Sequence, residues 1–316
     1  MTDASAQPLE KDMMQKQIVS RLKGIFPPLV TTFNRRGDLD EGAYRANLRR
    51  YAGLGLAGVL VTGSTGEAPY LSEHERLRLV DLARAAVKPP ELLLVGTGLE
   101  STRETIRLSR EAIARGADAI LVVTPNYYKP RMETAALIAH YRAVADAVRK
   151  PVLIYSIPQF TGIRMGVDSI GPLTRHPNIV GLKESSGDLG LVKAIVAKRY
   201  SSFRVLVGAA LILIPAMEAG ATGGVLAQAC FAPELCVAVY RAFERGDNTK
   251  AEKLADRLGL LVRAISGRYG VAGIKAAMEI EGYGGGAPRL PLLPLRPSDR
   301  REVAQALAIA REGLEI

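Results

Sequence analysis

Ile179-Val-Gly-Leu-Lys-Glu184 is apolar up to its lysine and does not alternate polar with apolar residues. A strand of that kind is buried on both faces, as in a parallel sheet with helices packed on it. Outward from this run the same pattern recurs on both sides. Before it stand Ile25 to Thr31, Gly58 to Thr62, Leu92 to Thr97, Ala119 to Thr124 and Val152 to Ile157. After it come Arg204 to Gly208 and Gly223 to Ala227. Amphipathic stretches such as Glu73 to Ala86 and Arg103 to Ala114 separate them. Ser72 with Glu75 forms a capping box for one helix, and Asp188 an N-cap for another. Eight strand–helix units predict a (β/α)8 TIM barrel. A doubly wound sheet is the competitor, but no GxGxxG opens a helix after the first strand.

Beyond the eighth strand the pattern turns helical: Ala232 to Glu244, Thr249 to Ala264 and Val271 to Glu281. A Gly/Pro-rich crossing, Gly282 to Pro297, leads to a last helix from Ser298 to about Arg311. The chain therefore divides into a flexible N-terminal extension (residues 1–23), the barrel (24–244) and a C-terminal helical appendage (245–316).

Composition narrows the function. Hydrophobic residues make up 48% of the 316, enough for a large core. Pro215, Glu218 and the glycines between Gly220 and Gly224 interrupt the best candidate for a membrane span. Met1 to Ser20 lacks the apolar core of a signal peptide. Cys230 and Cys236 alone make no disulfide framework, so the expected setting is a reducing cytoplasm. His74, His140 and His176 lack metal-ligand spacing, and no metal is expected. The net charge of +10 comes from interleaved charges, as in Glu73 to Arg78, rather than from a basic run with aromatics. Solvated helix faces account for it better than nucleic acid does.

Lys183 is the lysine that context singles out, because it lies inside an apolar strand. Burial drives an ammonium toward its neutral form, and a neutral amine is what a Schiff-base nucleophile requires. On position alone a second reading stands beside this one: a strand-end lysine paired with a buried carboxylate such as Glu184. Tyr155 closes Val152-Leu-Ile-Tyr155 at the end of a strand where barrel active sites are built. Its phenol suits proton transfer, although a strand tyrosine is commonly packing. Gly63-Ser-Thr-Gly-Glu67 is either an ordinary βα turn or a nest of N–H groups for a small carboxylate. It lacks the lysine of a nucleotide-binding loop. Thr124-Pro-Asn-Tyr-Tyr-Lys-Pro130 is a stiff aromatic loop, a substrate wall or a subunit contact. All of these fall at the ends of strands two, four, five and six, hence on one rim. That convergence favours catalysis by imine formation over a non-catalytic, ligand-sensing barrel.

With these motifs, and with Tyr155-Ser-Ile-Pro158, Thr161-Gly162 and Gly181-Leu-Lys-Glu184, the sequence resembles the pyruvate-dependent class I aldolases related to dihydrodipicolinate synthase and N-acetylneuraminate lyase. The match runs from about Gly24 to the final helix. The resemblance implies that Lys183 forms the imine with a keto acid and that Tyr155 is the general acid/base. Thr65 and Tyr127 complete the proton relay, Tyr127 reaching in from a neighbouring subunit of a homotetramer built as a dimer of dimers. Ser64 and Thr65 hold the pyruvyl carboxylate, the main chain near Val225 lines the pocket, and Phe160, Ser185 and Gly208 fall among the substrate-contacting positions. No cofactor is implied beyond the covalent imine.

One departure bears on the substrate. Dihydrodipicolinate synthases carry an arginine for the carboxylate of aspartate semialdehyde where this chain has Phe160. An apolar ring cannot replace a bidentate guanidinium. The stretches Arg131 to Tyr141, His176 to Ser185 and Gly267-Arg-Tyr-Gly through Gly282-Tyr-Gly284 resemble 4-hydroxy-2-oxoglutarate aldolase more closely. Cleavage of a 4-hydroxy-2-oxo acid to pyruvate and an aldehyde is the expectation. The alternatives are condensation of pyruvate with aspartate semialdehyde, and lysis of sialic or 2-keto-3-deoxy sugar acids.

Overall fold

Each apolar run becomes a strand because a hydrophobic layer lies on either side of it. The computed structural model describes residues 6–198 and 202–313. Its strands are β1 (Gly24–Phe26), β2 (Gly58–Val61), β3 (Leu92–Gly96), β4 (Ala119–Val123), β5 (Val152–Ser156), β6 (Ile179–Glu184), β7 (Arg204–Val207) and β8 (Gly223–Val225). They pair in parallel in the order β1-β8-β7-β6-β5-β4-β3-β2. The seam between β1 and β2 is closed by a parallel bridge, Pro28 to Leu60. There Leu60 N donates to Pro27 O at 3.0 Å and Leu29 N to Leu60 O at 2.8 Å. The sheet is a closed barrel. β1 stops at Phe26, short of the expected Thr31, because neither Pro27 nor Pro28 has an N–H for the ladder.

Side chains alternate across this sheet. Phe26, Leu60, Leu94, Leu121, Leu153, Leu206 and Val225 fill the interior. Val59, Val61, Leu93, Val95, Ile120 and Val122 pack outward with the helices. Those helices and short turns are α1 (Ala6–Arg21), α2 (Glu41–Tyr51), α3 (Glu73–Ala86), α4 (Thr102–Ala114), α5 (Thr134–Val148), α6 (Pro158–Thr161), α7 (Val167–Leu173), α8 (Leu189–Val196), α9 (Leu213–Ala219) and α10 (Pro233–Glu244). The expected caps form. Ser72 Oγ accepts from Glu75 N at 3.3 Å while Glu75 Oε2 accepts from Ser72 N at 2.8 Å. Asp188 Oδ1 accepts from Leu191 N at 2.9 Å. Among the described residues no helix is long and apolar enough to cross a membrane.

Two expectations need correcting. Residues 6–21 are not a flexible extension; they form α1, and Ile18, Val19 and Leu22 are buried with the barrel interior. Arg21 Nε donates to Pro90 O at 2.8 Å, Gln15 Nε2 donates to Pro177 O, and Leu22 O accepts from Thr222 Oγ1 at 2.8 Å. Pro90, Pro177 and Thr222 stand just before β3, β6 and β8, so α1 lies across the N-terminal mouth of the barrel. Residues 1–5 fall outside the described chain.

The second concerns the C-terminal region, α11 (Asn248–Leu261), α12 (Gly267–Ile280) and α13 (Pro297–Arg311). The expected break after Ala264 is instead a π-helical turn, Val262–Ser266, that runs on into α12. α12 kinks at Gly270, whose φ of 55° and ψ of −140° suit glycine alone. Leu254, Leu258, Ile274 and Val303 share one core with the barrel.

Candidate active site

β6 carries Lys183 inward. Leu182 packs outward, so by alternation Lys183 points into the barrel, where it is 4% exposed. Glu184 takes the opposite face, and its carboxylate accepts from Ser186 N at 2.7 Å and Gly187 N at 3.2 Å. The pairing of Lys183 with Glu184 is therefore not made. Among the described residues Lys183 forms no ion pair. Its neighbour in register is Tyr155 on β5, and Nζ lies 4.1 Å from the centroid of that ring.

Tyr155 joins the lysine to the loop after β2. Its hydroxyl is 3.3 Å from Ser64 Oγ. Ser64 belongs to a tight turn in which Gly66 N and Ala68 N both donate to Gly63 O, at 3.1 and 3.3 Å. Thr31 Oγ1 ties the turn down by donating to Gly66 O at 2.6 Å. Above Tyr155 opens a cavity of about 770 Å³, whose walls include Ser64, Thr124, Tyr155, Ile157 and Phe160. That volume suits a small substrate.

Of the residues expected in the site, Ser64, Tyr155 and Phe160 line this cavity. Lys183 is not itself a wall of it; Tyr155 is the wall residue beside it. Thr65 is half-buried in the turn next to Ser64 and is not a wall residue. Val225 is buried in the barrel interior. Ser185 and Gly208 meet behind the strand ends: a Cβ on Gly208 would stand 1.9 Å from Ser185 Oγ, so glycine is what permits the approach. Tyr127 is 76% exposed and stacked edge-on against Tyr128, outside the cavity within one chain. Its neighbour Asn126 is a wall residue, and Glu100 Oε2 fixes the loop by accepting from Asn126 N and Tyr127 N.

Several residues of the site were given no role from the sequence, among them Glu67, which closes the glycine-bracketed motif. Arg76 lines the cavity at 8% exposure, and its guanidinium donates to the main-chain oxygens of Leu71 and Ala68. Burial lowers its pKa, with Glu73 opposing. In the sequence it is one charge among many in Glu73 to Arg78. Glu67, also a wall residue, pairs with a second buried lysine, Lys275 of α12, at 2.6 Å. Tyr269 to Ala272, at the kink of α12, and Leu292–Leu293 supply the far wall. Cys230 is inert packing: burial pushes its thiol up to about 12, and Sγ donates to Pro28 O.

Comparison with known proteins agrees with this geometry. A model of the dihydrodipicolinate synthetase family matches residues 21–310. The 4-hydroxy-tetrahydrodipicolinate synthase of Methanospirillum hungatei is 38% identical over 275 residues, covering 85% of this chain and 93% of its own. That of Methanothrix thermoacetophila is 35% identical over 286 residues, covering 90% of this chain and 96% of its own. Among solved structures, YagE of E. coli K12, a prophage protein of the dihydrodipicolinic acid synthase family in complex with pyruvate, has a TM-score of 0.87 at 29% identity. It covers 92% of this chain and 99% of that one. The inward lysine beside a strand tyrosine, the glycine-bracketed turn and a match over nearly the whole chain lead to one conclusion: this protein is a lyase of the dihydrodipicolinate synthetase family, the pyruvate-dependent class I aldolases.

Proposed function

We propose that Lys183 forms an imine with pyruvate and that the chain makes or breaks a C–C bond at the pyruvyl methyl carbon. The observation that carries this reading is a buried lysine without an ion pair, against the ring of a tyrosine that borders the cavity. The neutral amine attacks the keto carbon, the carbinolamine loses water, and the imine draws electrons from the adjacent carbon. Loss of a proton there gives an enamine that adds to an aldehyde; the reverse sequence releases pyruvate. Tyr155 is placed to carry protons, its hydroxyl held by Ser64 at 3.3 Å. Ser64 and Thr65 hold the carboxylate in this proposal, and the reaction runs in the cytoplasm without a resident metal or organic cofactor. Tyr127, exposed beside the cavity mouth, completes the relay of a neighbouring subunit in a dimer of dimers.

For the acceptor, the relatives named 4-hydroxy-tetrahydrodipicolinate synthase support condensation with aspartate semialdehyde. They give no support to the 4-hydroxy-2-oxoglutarate expectation. Phe160, 68% exposed on the cavity wall, favours a second reading, cleavage of a 4-hydroxy-2-oxo acid. The test of the shared chemistry is reduction with sodium borohydride in the presence of pyruvate, followed by peptide mass spectrometry. An adduct on Lys183 is expected; none there, or one on the other buried lysine, Lys275, overturns the mechanism. A panel comparing pyruvate release from 4-hydroxy-2-oxoglutarate, sialic acid and keto-deoxy sugar acids with condensation on aspartate semialdehyde then assigns the acceptor.

A further inference from the structure

Lys275 has no part in the chemistry just described, yet it is as deeply buried as Lys183. Its side chain is 1% exposed and that of Glu67 0%, with Nζ and Oε1 2.6 Å apart. Nζ also donates to Ala287 O at 3.0 Å and lies 4.6 Å from the centroid of the Phe33 ring. The other carboxylate oxygen of Glu67 accepts from Arg289 N at 2.8 Å. Arg289 in turn grips Glu75 through both terminal nitrogens, at 3.0 and 2.6 Å. Replacing a buried ion pair by apolar side chains commonly leaves stability unchanged or improved. In this chain the pair holds Glu67 and Lys275 in one arrangement, tied further to Ala287 O and Arg289 N.

The geometry it fixes is that of the turn after β2. Glu67 ends the turn in the left-handed region, φ 55°, a conformation that a residue with a Cβ adopts only when its surroundings hold it there. Glu67 N donates to Ser64 O at 3.0 Å, so the anchored residue is tied directly to the one whose hydroxyl meets Tyr155. A chain of contacts thus runs from α12 through the ion pair and the turn to the phenol. We infer that Lys275 is a positioning residue: by pairing with Glu67 it sets the turn Gly63–Glu67, and with it the Ser64 hydroxyl, against Tyr155. The inference rests on the reading of Lys183 and Tyr155 as the imine-forming pair.

The test uses the full chain and the variants Lys275→Met, Glu67→Gln and their double. Pyruvate is titrated under borohydride, adduct on Lys183 is counted per folded chain, and melting temperatures are recorded in parallel. Lys275→Met buries an anion without its counter-charge, and Glu67→Gln a cation without its own. Each is expected to raise the pyruvate concentration for half-maximal trapping about tenfold, while the yield at saturation stays within twofold. The double variant leaves neither charge unpaired, so its melting temperature recovers, but it lacks the pair that sets the turn and its half-saturation stays more than twofold above the wild type. Half-saturation within twofold of wild type in the single variants, or a double variant that returns to within twofold of wild type without the pair, overturns the inference. Lower melting temperatures with unchanged half-saturation do so as well, by marking the pair as structural alone. Should Lys275→Met fail to fold, Glu67→Gln and the double variant, in which melting recovers while half-saturation does not, carry the test. A wild-type chain that traps no pyruvate on Lys183 overturns the reading of the site instead.

Discussion

Replacing Tyr155 by phenylalanine removes one oxygen and leaves the ring that faces Lys183. The structure sets the two consequences apart. The lost contact is a single half-buried hydrogen bond to Ser64 at 3.3 Å, so stability falls by about 0.5–1.5 kcal/mol. The ring still packs 4.1 Å from Nζ, and Lys183 stays where it is. Catalysis loses its proton carrier, which costs about 10²- to 10⁴-fold in turnover, or roughly 3–5 kcal/mol in barrier height. The assay measures pyruvate turnover on the substrate the panel selects, beside borohydride trapping at long incubation and a thermal melt. The expected pattern is a collapse of turnover, a slower approach to a near-complete adduct, and a small shift in melting. Turnover within tenfold of wild type would refute the role given to Tyr155. So would an adduct yield that falls in step with the folded fraction, since the phenol would then be packing.

Three further outcomes follow from the geometry. Phe160→Arg places a guanidinium on the cavity wall; a charge-assisted bond to a carboxylate contributes about 1.5–3 kcal/mol, so kcat/KM for aspartate semialdehyde should rise roughly 10- to 100-fold. No change would mean that Phe160 does not face the acceptor. Leu22→Ala, at a fully buried position under the barrel, should cost about 2–5 kcal/mol in urea unfolding, with turnover of the folded enzyme intact. A loss below 1 kcal/mol would show that α1 is weakly docked. His140 is held near pKa 4 against an ordinary 6.5, burial being the larger cause and Glu100 opposing it. The folded chain then binds fewer protons than the unfolded one between those values. Stability from this group is complete above pH 6.5 and is lost as pH falls toward 4, by at most about 3 kcal/mol. In His140→Gln the difference in unfolding free energy between pH 7 and pH 4.5 should shrink; an unchanged difference argues against it.

The barrel was legible because strands buried on both faces leave short apolar runs at regular spacing between amphipathic stretches. Lys183 was legible for the same reason: a cation inside such a run has no solvent face to turn to. Lys275 has the same burial but lies on a helix, where a lysine ordinarily finds water, and its partner Glu67 comes from the other end of the chain. Nothing local marks such a pair. α1 misled because a mostly polar helix needs only a few apolar residues to dock, here Ile18 and Val19 with Leu22 just past its end. The far cavity wall was hidden for a third reason. Its Tyr269 to Ala272 part sits at one unusual backbone torsion, Gly270, and glycine in a helical pattern reads equally well as a flaw or a hinge.

That wall has a consequence for engineering. Because Tyr269 to Ala272 and Leu292–Leu293 enclose the same hollow as Tyr155, the barrel and the helices after it are not exchangeable modules. A chimera that joins residues 1–244 to the C-terminal helices of a relative would import one wall of that relative's acceptor chamber. Libraries built to redirect the aldehyde should therefore recombine across the kink, where one graft reshapes the chamber without touching the imine.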